Sequence, residues 1–219
     1  MGDSNTKAKL VVLISGSGSN LQSFIDQSLS GELPADIAAV ICNRPGAFGL
    51  ERAAKAGIPT ELIDHTLYEG REPFDQELIR CIDQYEPDLV ILAGFMRILT
   101  PGFVQHYSNR LLNIHPSLLP KYPGLNTHQR AIDAGDSEAG ATVHFVTEVL
   151  DCGANVVQAS VPILKDDSAE ALAKRILGQE HKIYPLAAKW FVEGRLTIKD
   201  NKALLDGDVL PESGFPFNS

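Results

Sequence analysis

Asn113 and His115, spaced by Ile114 and followed by Pro116-Ser117-Leu118-Leu119-Pro120, are the residues of this chain best suited to chemistry. They follow the apolar pair Leu111-Leu112 and open into Lys121-Tyr122-Pro123-Gly124. At a strand end, positions i and i+2 share a face, so an amide and an imidazole project into one space. That pair suits acyl chemistry: the amide donates to a developing oxyanion and the imidazole moves a proton. The plainer alternative is a buried histidine hydrogen-bonded in a turn that the prolines shape. The Asn partner, the strand-end location and the Pro-flanked loop weigh against it, because ligands of open α/β sheets gather at the carboxyl ends of strands.

Other positions offer supporting groups, each with a bland reading beside it. Asp151 lies in Glu148-Val149-Leu150-Asp151-Cys152-Gly153. A carboxylate near His115 would favour the protonated imidazole and make it a general acid; a turn Asp that bonds its own backbone is the simpler account from the residues alone. Gly16-Ser17-Gly18-Ser19-Asn20 joins a buried strand to a helix start. Helix N-termini bind anions, and glycines admit a ligand to the backbone. Leu21 stands where a third glycine would complete the dinucleotide fingerprint, and no Walker lysine follows, so a simple phosphate monoester fits best. The competing reading is a tight turn capped by Ser19. Arg97, within Met96-Arg97-Ile98-Leu99, is a candidate to receive a carboxylate beside an apolar slot, and Arg71 is a second such cation; a loop with core-directed apolar residues is the alternative. Glu180 is a candidate to hold an amine, set against an ordinary solvated helical face. His65, His106, His128 and His144 show no metal-ligand spacing, and no metal is expected.

The elements that must position these groups alternate. Leu10–Ile14, Ile37–Cys42, Pro59–Ile63 and Leu89–Ala93 read as strands, the first and last as runs buried on both faces. Between them, Leu21 to Leu29, Gly49 to Ala56 and Phe74 to Tyr85 have helical spacing. Such alternation implies βαβ units with right-handed crossovers. After Pro120 the pattern changes. Ala141–Val146 alternates as a half-buried strand, and Asn155–Leu164 is β-rich with no helix between, which predicts antiparallel additions to the sheet. Ser168 to Val192 is a helix that Pro185 is expected to bend or break, and a short strand and tail follow Asp200.

Composition bounds the function. With 219 residues, 44% of them hydrophobic, the chain suits one sizeable domain. A net charge of -9 argues against nucleic-acid binding, which needs a basic surface, while leaving room for an anionic small ligand. Cys42, Cys81 and Cys152 are odd in number and lack CxxC spacing, as expected of reduced thiols in the cytoplasm. No apolar run has the length of a membrane span. The start is polar rather than a secretory signal, and its Gly2 and Thr6 fit only the loose myristoylation pattern.

Taken together, Ile14–Asn20, Ala93–Leu99, Leu112–Gly124, His144–Thr147 with Leu150-Asp151, and Gln179-Glu180-His181 with Tyr184-Pro185 form a highly specific set. Over about Lys9 to Leu210 the chain resembles the folate-dependent phosphoribosylglycinamide formyltransferases of purine biosynthesis. The resemblance implies a single formyltransferase domain, 1–219. Its Rossmann-like, mostly parallel sheet with flanking helices forms a phosphate-binding half (about 9–110), and antiparallel strands are added in a folate and catalytic half (about 111–210). It implies transfer of the formyl group of 10-formyltetrahydrofolate, a co-substrate, to the amine of glycinamide ribonucleotide, without a metal or a covalent enzyme intermediate. Gly18, Ser19 and Asn20 match the family's phosphate loop. Asn113, His115 and Asp151 match its catalytic trio, in which the Asp supports the His and orders a water. Arg71, Met96, Arg97, Ile98, Leu99, Asn113, Thr147, Glu148, Val149, Leu150 and Asp151 match the folate-contacting positions, and Glu180 the residue that meets the glycinamide end. Two departures stand out: Asn126 replaces a common His, and Cys152-Gly153-Ala154 replaces the commoner Gly-Gly-Pro.

Within the wider group, methionyl-tRNA formyltransferases carry a basic C-terminal domain and formyltetrahydrofolate hydrolases an extra N-terminal one, and neither is expected here. A non-catalytic ligand-binding module on the same fold is a third alternative; the intact trio argues against it. The expected protein is a cytoplasmic monomer or homodimer with small-molecule partners, and no nucleic acid or membrane among them.

Overall fold

The computed structural model describes residues 7–218. The Gly2–Thr6 pattern lies outside the described residues. The chain divides into two compact units, one ending at Phe103 and one beginning at Val104.

In the first unit β1 (Ala8–Ile14), β2 (Ala35–Cys42), β3 (Thr60–Leu62) and β4 (Leu89–Leu92) form parallel pairs in the order β3-β2-β1-β4. Helices α1 (Ser19–Ser30), α2 (Phe48–Lys55) and α3 (Arg71–Asp83) connect them. Leu10 to Ile14 are fully buried, as the unbroken apolar run required. Helix α1 buries Leu21, Phe24 and Ile25. Leu29 is exposed, because at 100° per residue it lies about 80° round the helix from Leu21.

Helix α4 (Pro101–His106), which the sequence reading missed, carries the chain into the second unit. There β5 (Leu111–His115), β6 (Glu138–Phe145) and β7 (Asn155–Pro162) pair antiparallel in sequence order, with α5 (Thr127–Asp133) before β6. The expected antiparallel additions are therefore present. Strand β6 is not half-buried: Ala139 to Phe145 are all buried, since both α5 and α6 (Ala169–Val192) pack against it. Pro185 does not break α6, which runs on as one helix. Ile183, Tyr184, Pro185, Ala187 and Ala188 are all buried, and that packing offsets the hydrogen bond a mid-helix proline forfeits. The Tyr184 hydroxyl donates to the Leu112 carbonyl of β5 at 2.9 Å. The tail is more ordered than expected. β8 (Leu196–Lys199), β9 (Lys202–Leu205) and β10 (Asp208–Val209) make a small antiparallel sheet, and β11 (Phe215–Phe217) pairs parallel with β7.

Asp75 is a buried carboxyl of the first unit. It lies on α3, 1% exposed, and its Oδ2 accepts the Thr100 N–H at 2.6 Å. Burial pushes its pKa up, against the lowering effects of Thr100 and Arg97. A carboxyl raised in this way destabilises the fold above its folded pKa, and the effect vanishes as falling pH protonates it. Asp75→Ala, which leaves the Thr100 N–H buried and unpaired, is expected to cost about 1–3 kcal/mol in urea unfolding. Asp75→Asn keeps an acceptor without the charge. Its stability relative to the parent protein should be highest above the raised folded pKa and fall as pH drops to the ordinary carboxylate range.

Candidate active site

Strand β5 ends at His115, so Asn113 and His115 project from one face two residues apart. The Nε2 atom of His115 lies 2.9 Å from the Tyr122 carbonyl. A carbonyl only accepts, so this nitrogen carries a proton. The Nδ1 atom faces Asp151 Oδ2 at 3.5 Å, ion-pair contact beyond good hydrogen-bond length. A proton on Nδ1 is thus neutralised by the carboxylate without being tightly bound to it, and can be shared with a substrate oxygen.

Asp151 sits in the loop between β6 and β7 with φ of 53°, a left-handed conformation that short polar side chains tolerate. Its Oδ2 also accepts the Gly124 N–H at 2.9 Å, and its side chain is 5% exposed. Two residues on, a Cβ on Gly153 would collide with the Phe145 carbonyl, so the loop can lie against β6 only with glycine there. Cys152, between them, is exposed.

The sequence reading missed the fourth member of this cluster. His144 is the cross-strand partner of Asn113. Its Nε2 lies 3.2 Å from Asn113 Nδ2 and 3.7 Å from Asp151 Oδ1, and its Nδ1 lies 3.0 Å from the Phe145 carbonyl. Burial pushes its pKa down, outweighing the Phe145 carbonyl and Asp151. A shift in register between β6 and β7 falls at Val143/His144, as is common beside active sites. The His144–Thr147 motif marks the residue but not this contact. Only the register of β5 on β6, closed across more than twenty residues of loop and helix, brings it to Asn113.

The loop from Pro116 to Asn126 is fastened to the sheet. The buried Thr142 hydroxyl donates to the Ser117 carbonyl at 2.7 Å and accepts the Leu119 N–H at 3.1 Å. Gln158 donates to the Leu119 carbonyl at 2.7 Å, and the Thr127 hydroxyl to the Pro116 carbonyl at 2.7 Å. Asn126 takes a left-handed φ of 58° immediately before α5. This bonding fixes the Tyr122 carbonyl and the Gly124 N–H that hold His115 and Asp151. Elsewhere in this unit, Thr147 and Glu148 line a cleft of about 270 Å³ with Val104, Gln105 and Asn201. Gln105 donates to Glu148 at 2.7 Å. Glu180, on α6, is 8% exposed, so it does not belong to a solvated face. Beside it Gln179 holds its Oε1 buried without a hydrogen bond among the described residues.

In the first unit Gly18 is the N-cap of α1, left-handed at φ 68°, and Ser19 is the first residue of the helix. A Cβ on Gly18 would lie 2.6 Å from the Gly49 Cα. The loop is pressed onto the start of α2, where the Gly49 N–H donates to the Gly16 carbonyl at 3.0 Å. Arg52 donates to the Ser17 carbonyl at 2.8 Å. The first-turn N–H groups of a helix have no intrahelical partner, and an anion suits them. The Ser15 hydroxyl, donating to Asn43 at 2.6 Å, accepts the Met96 N–H at 2.8 Å and so ties the 94–99 segment to the end of β1. Arg97 is engaged: its guanidinium lies 4.4 Å over the Phe74 ring and donates to the Gly70 carbonyl at 2.9 Å. Arg71 is exposed at the start of α3 and Leu99 is half-buried. Met96 and Ile98 are each 59% exposed, as are Val149 (63%) and Leu150 (54%) in the other unit. Each unit therefore offers apolar side chains that an aromatic ligand could cover. Among the described residues no group of three or more His, Cys, Asp or Glu is placed to hold a metal ion, and no helix is long and apolar enough to cross a membrane.

If this loop holds a phosphate monoester, Gly18→Ala strains a left-handed residue and drives a methyl into Gly49. The expected result is a KM for a phosphorylated substrate raised about tenfold or more, with the second substrate's KM unchanged. Steady-state titration of each substrate separates the two.

The formyl transferase family model matches residues 8–188. The phosphoribosylglycinamide formyltransferase of Escherichia coli is 53% identical over 206 residues, which span 94% of this chain and 97% of that one. The structure of the phosphoribosylglycinamide formyltransferase of Coxiella burnetii superimposes with a TM-score of 0.92 at 48% identity, covering 97% of this chain and 100% of the other. A glycinamide ribonucleotide transformylase of Symbiobacterium toebii gives 0.89 at 44% identity, covering 91% and 94%. The same α/β fold, parallel strands first and antiparallel strands added later, is thus shared at high identity over nearly the whole length, and the chain belongs to the formyl transferase family.

Proposed function

We propose that this protein transfers the formyl group of 10-formyltetrahydrofolate to the primary amine of glycinamide ribonucleotide, a step of de novo purine biosynthesis, in the cytoplasm. The observation that carries the reading is the convergence of Asn113, His115 and Asp151 at the end of β5, in a chain so similar to phosphoribosylglycinamide formyltransferases over its length.

The folate supplies an activated formyl carbon. As the amine adds to that carbon, its oxygen gathers negative charge. The Asn113 amide and a proton on His115 Nδ1 stabilise it, and Asp151, 3.5 Å away, balances the imidazolium. A water ordered by Asp151 takes the proton released by the amine; the tetrahedral adduct then collapses, the bond from the formyl carbon to folate N10 breaks, and N10 takes that proton as tetrahydrofolate leaves. The groups used are an amide, an imidazole and a carboxylate, and the scheme calls for no metal and no covalent enzyme intermediate. The loop Gly18-Ser19-Asn20 receives the ribose phosphate, and Glu180 receives the glycinamide end. On the folate, Met96, Ile98, Leu99, Val149 and Leu150 supply apolar contacts. Thr147, Glu148 and Asn113 supply polar ones, and exposed Arg71 faces the anionic tail. Arg97, stacked on Phe74 and bonded to Gly70, holds the start of the helix that carries Arg71. The partners are these two small molecules, and the assembly is a monomer or a homodimer.

The direct test mixes purified protein with 10-formyl-5,8-dideazafolate, with and without glycinamide ribonucleotide, and follows the deformylated product by absorbance. Product formed only with the ribonucleotide supports the reading. Product formed without it indicates a hydrolase, and no product with the folate still bound indicates a binding module. His115→Ala is expected to lower kcat about 10²- to 10⁴-fold while folate affinity holds; near-normal turnover would remove His115 from the scheme. Asp151→Asn should slow the parent strongly yet change kcat less than about threefold in the His115→Ala background, because residues that act as a unit are not additive. Full additivity in that comparison would leave Asp151 a turn residue only.

A further inference from the structure

Asn113 serves an oxyanion only if an N–H, and not its carbonyl oxygen, is turned to the reacting atom. The two ends of a side-chain amide are almost the same shape, so another group must choose between them. That group stands directly opposite in the sheet. In the antiparallel register of β5 and β6, Asn113 pairs with His144, and side chains of such pairs share one face.

The ring's hydrogen bonding settles which end of the amide it accepts. His144 Nδ1 lies 3.0 Å from the Phe145 carbonyl, an acceptor, and therefore carries the hydrogen. In the neutral ring Nε2 is then a bare lone pair, and Nε2 is the atom 3.2 Å from the Asn113 amide. An amide oxygen at that position would set lone pair against lone pair, whereas an N–H completes a hydrogen bond. We propose that His144 is a positioning residue for the transfer reaction: its Nε2 lone pair captures one Asn113 N–H, fixing the amide so that the second N–H is presented to the oxyanion. This rests on the reading of Asn113 given above.

The surroundings support a neutral ring. His144 is 2% exposed, and burial disfavours its charged form. Two ionisable groups face it. Asp151 Oδ1, from the loop between β6 and β7, lies 3.7 Å from Nε2; His115, on β5, opposes a second positive charge in the cluster. A protonated His144 would turn an Nε2–H toward Asp151 and Asn113 together, and would then accept the amide only by its oxygen, the wrong way round for catalysis.

Two measurements test this. The ¹⁵N spectrum of the histidine side chains, assigned by comparison with a His144→Gln variant, should show His144 at pH 7 as the neutral Nδ1–H tautomer. A cationic ring or an Nε2–H tautomer overturns the proposal, whatever the reaction catalysed. The second is a kinetic cycle. His144→Leu, which removes the acceptor, should lower kcat about 10²- to 10³-fold, the worth of one oxyanion donor, with both KM values within about threefold. His144→Gln, which returns an oxygen acceptor, should recover about tenfold or more of that loss. With Asn113 already replaced by Ala, adding His144→Leu should cost less than about twofold, within the error of additivity. A full, independent loss in that background, or a Gln variant no better than Leu, shows a merely structural histidine. If the Leu variant does not fold, the Gln variant and the tautomer decide. Parent protein that fails to formylate the ribonucleotide sinks the functional reading, an outcome separate from an active parent with an additive cycle.

Discussion

The antiparallel register of β5 on β6 is the constraint on which the second unit's site depends. It sets Asn113 opposite His144 and His115 opposite Thr142. Because side chains alternate with a period of two, a slip of one residue would turn Asn113 and His115 to the other face and put Ile114 in their place. The register is held by buried polar bonding rather than by apolar packing alone. Thr142 reaches the loop after β5 at Ser117 and Leu119, and Gln158 on β7 reaches both Leu119 and the Thr142 hydroxyl. These groups are satisfied only in one alignment, and an unmade buried bond costs more than a made one gains. Polar groups in the sheet thereby enforce a unique alignment that Val, Ile and Leu, interchangeable in shape and lacking direction, would leave open.

Much of this was legible in the residues, for identifiable reasons. The parallel strands of the first unit declare themselves as unbroken branched-apolar runs, and the spacing of Asn113 and His115 already places both on one face. What escaped depends on distance along the chain. His144 belongs to a recognisable motif, but its contact with Asn113 is not legible, because that partner is thirty-one positions away and the pairing register is a tertiary fact. β6 alternates in sequence yet is buried on both sides, because α5 and α6 both come to it. Glu180 reads as a surface residue on a helix until the packing of α6 removes it from solvent. The same packing carries α6 through Pro185, where local propensity argued for an interruption. Arg97 reads as a candidate carboxylate receptor, and its stacking on Phe74 and its bond to the Gly70 carbonyl are tertiary contacts that the sequence does not show.

Two imidazoles flank one carboxylate, and their tethers are mirror images. His115 is fixed through Nε2 to the Tyr122 carbonyl, His144 through Nδ1 to the Phe145 carbonyl. Each tether decides where the fixed hydrogen sits and leaves the opposite nitrogen to face Asp151, at 3.5 and 3.7 Å. One carboxylate stabilises one added proton well. A second would set two like charges around it in a desolvated cluster. Burial settles the competition, since it presses His144 toward the neutral ring. In the proposed transfer the acid role therefore goes to His115 and the acceptor role to His144. Residues of one chemical type thus acquire opposite duties from nothing more than which ring nitrogen a backbone carbonyl has claimed, and both carbonyls are placed by the β5–β6 alignment and the loop fastened to it.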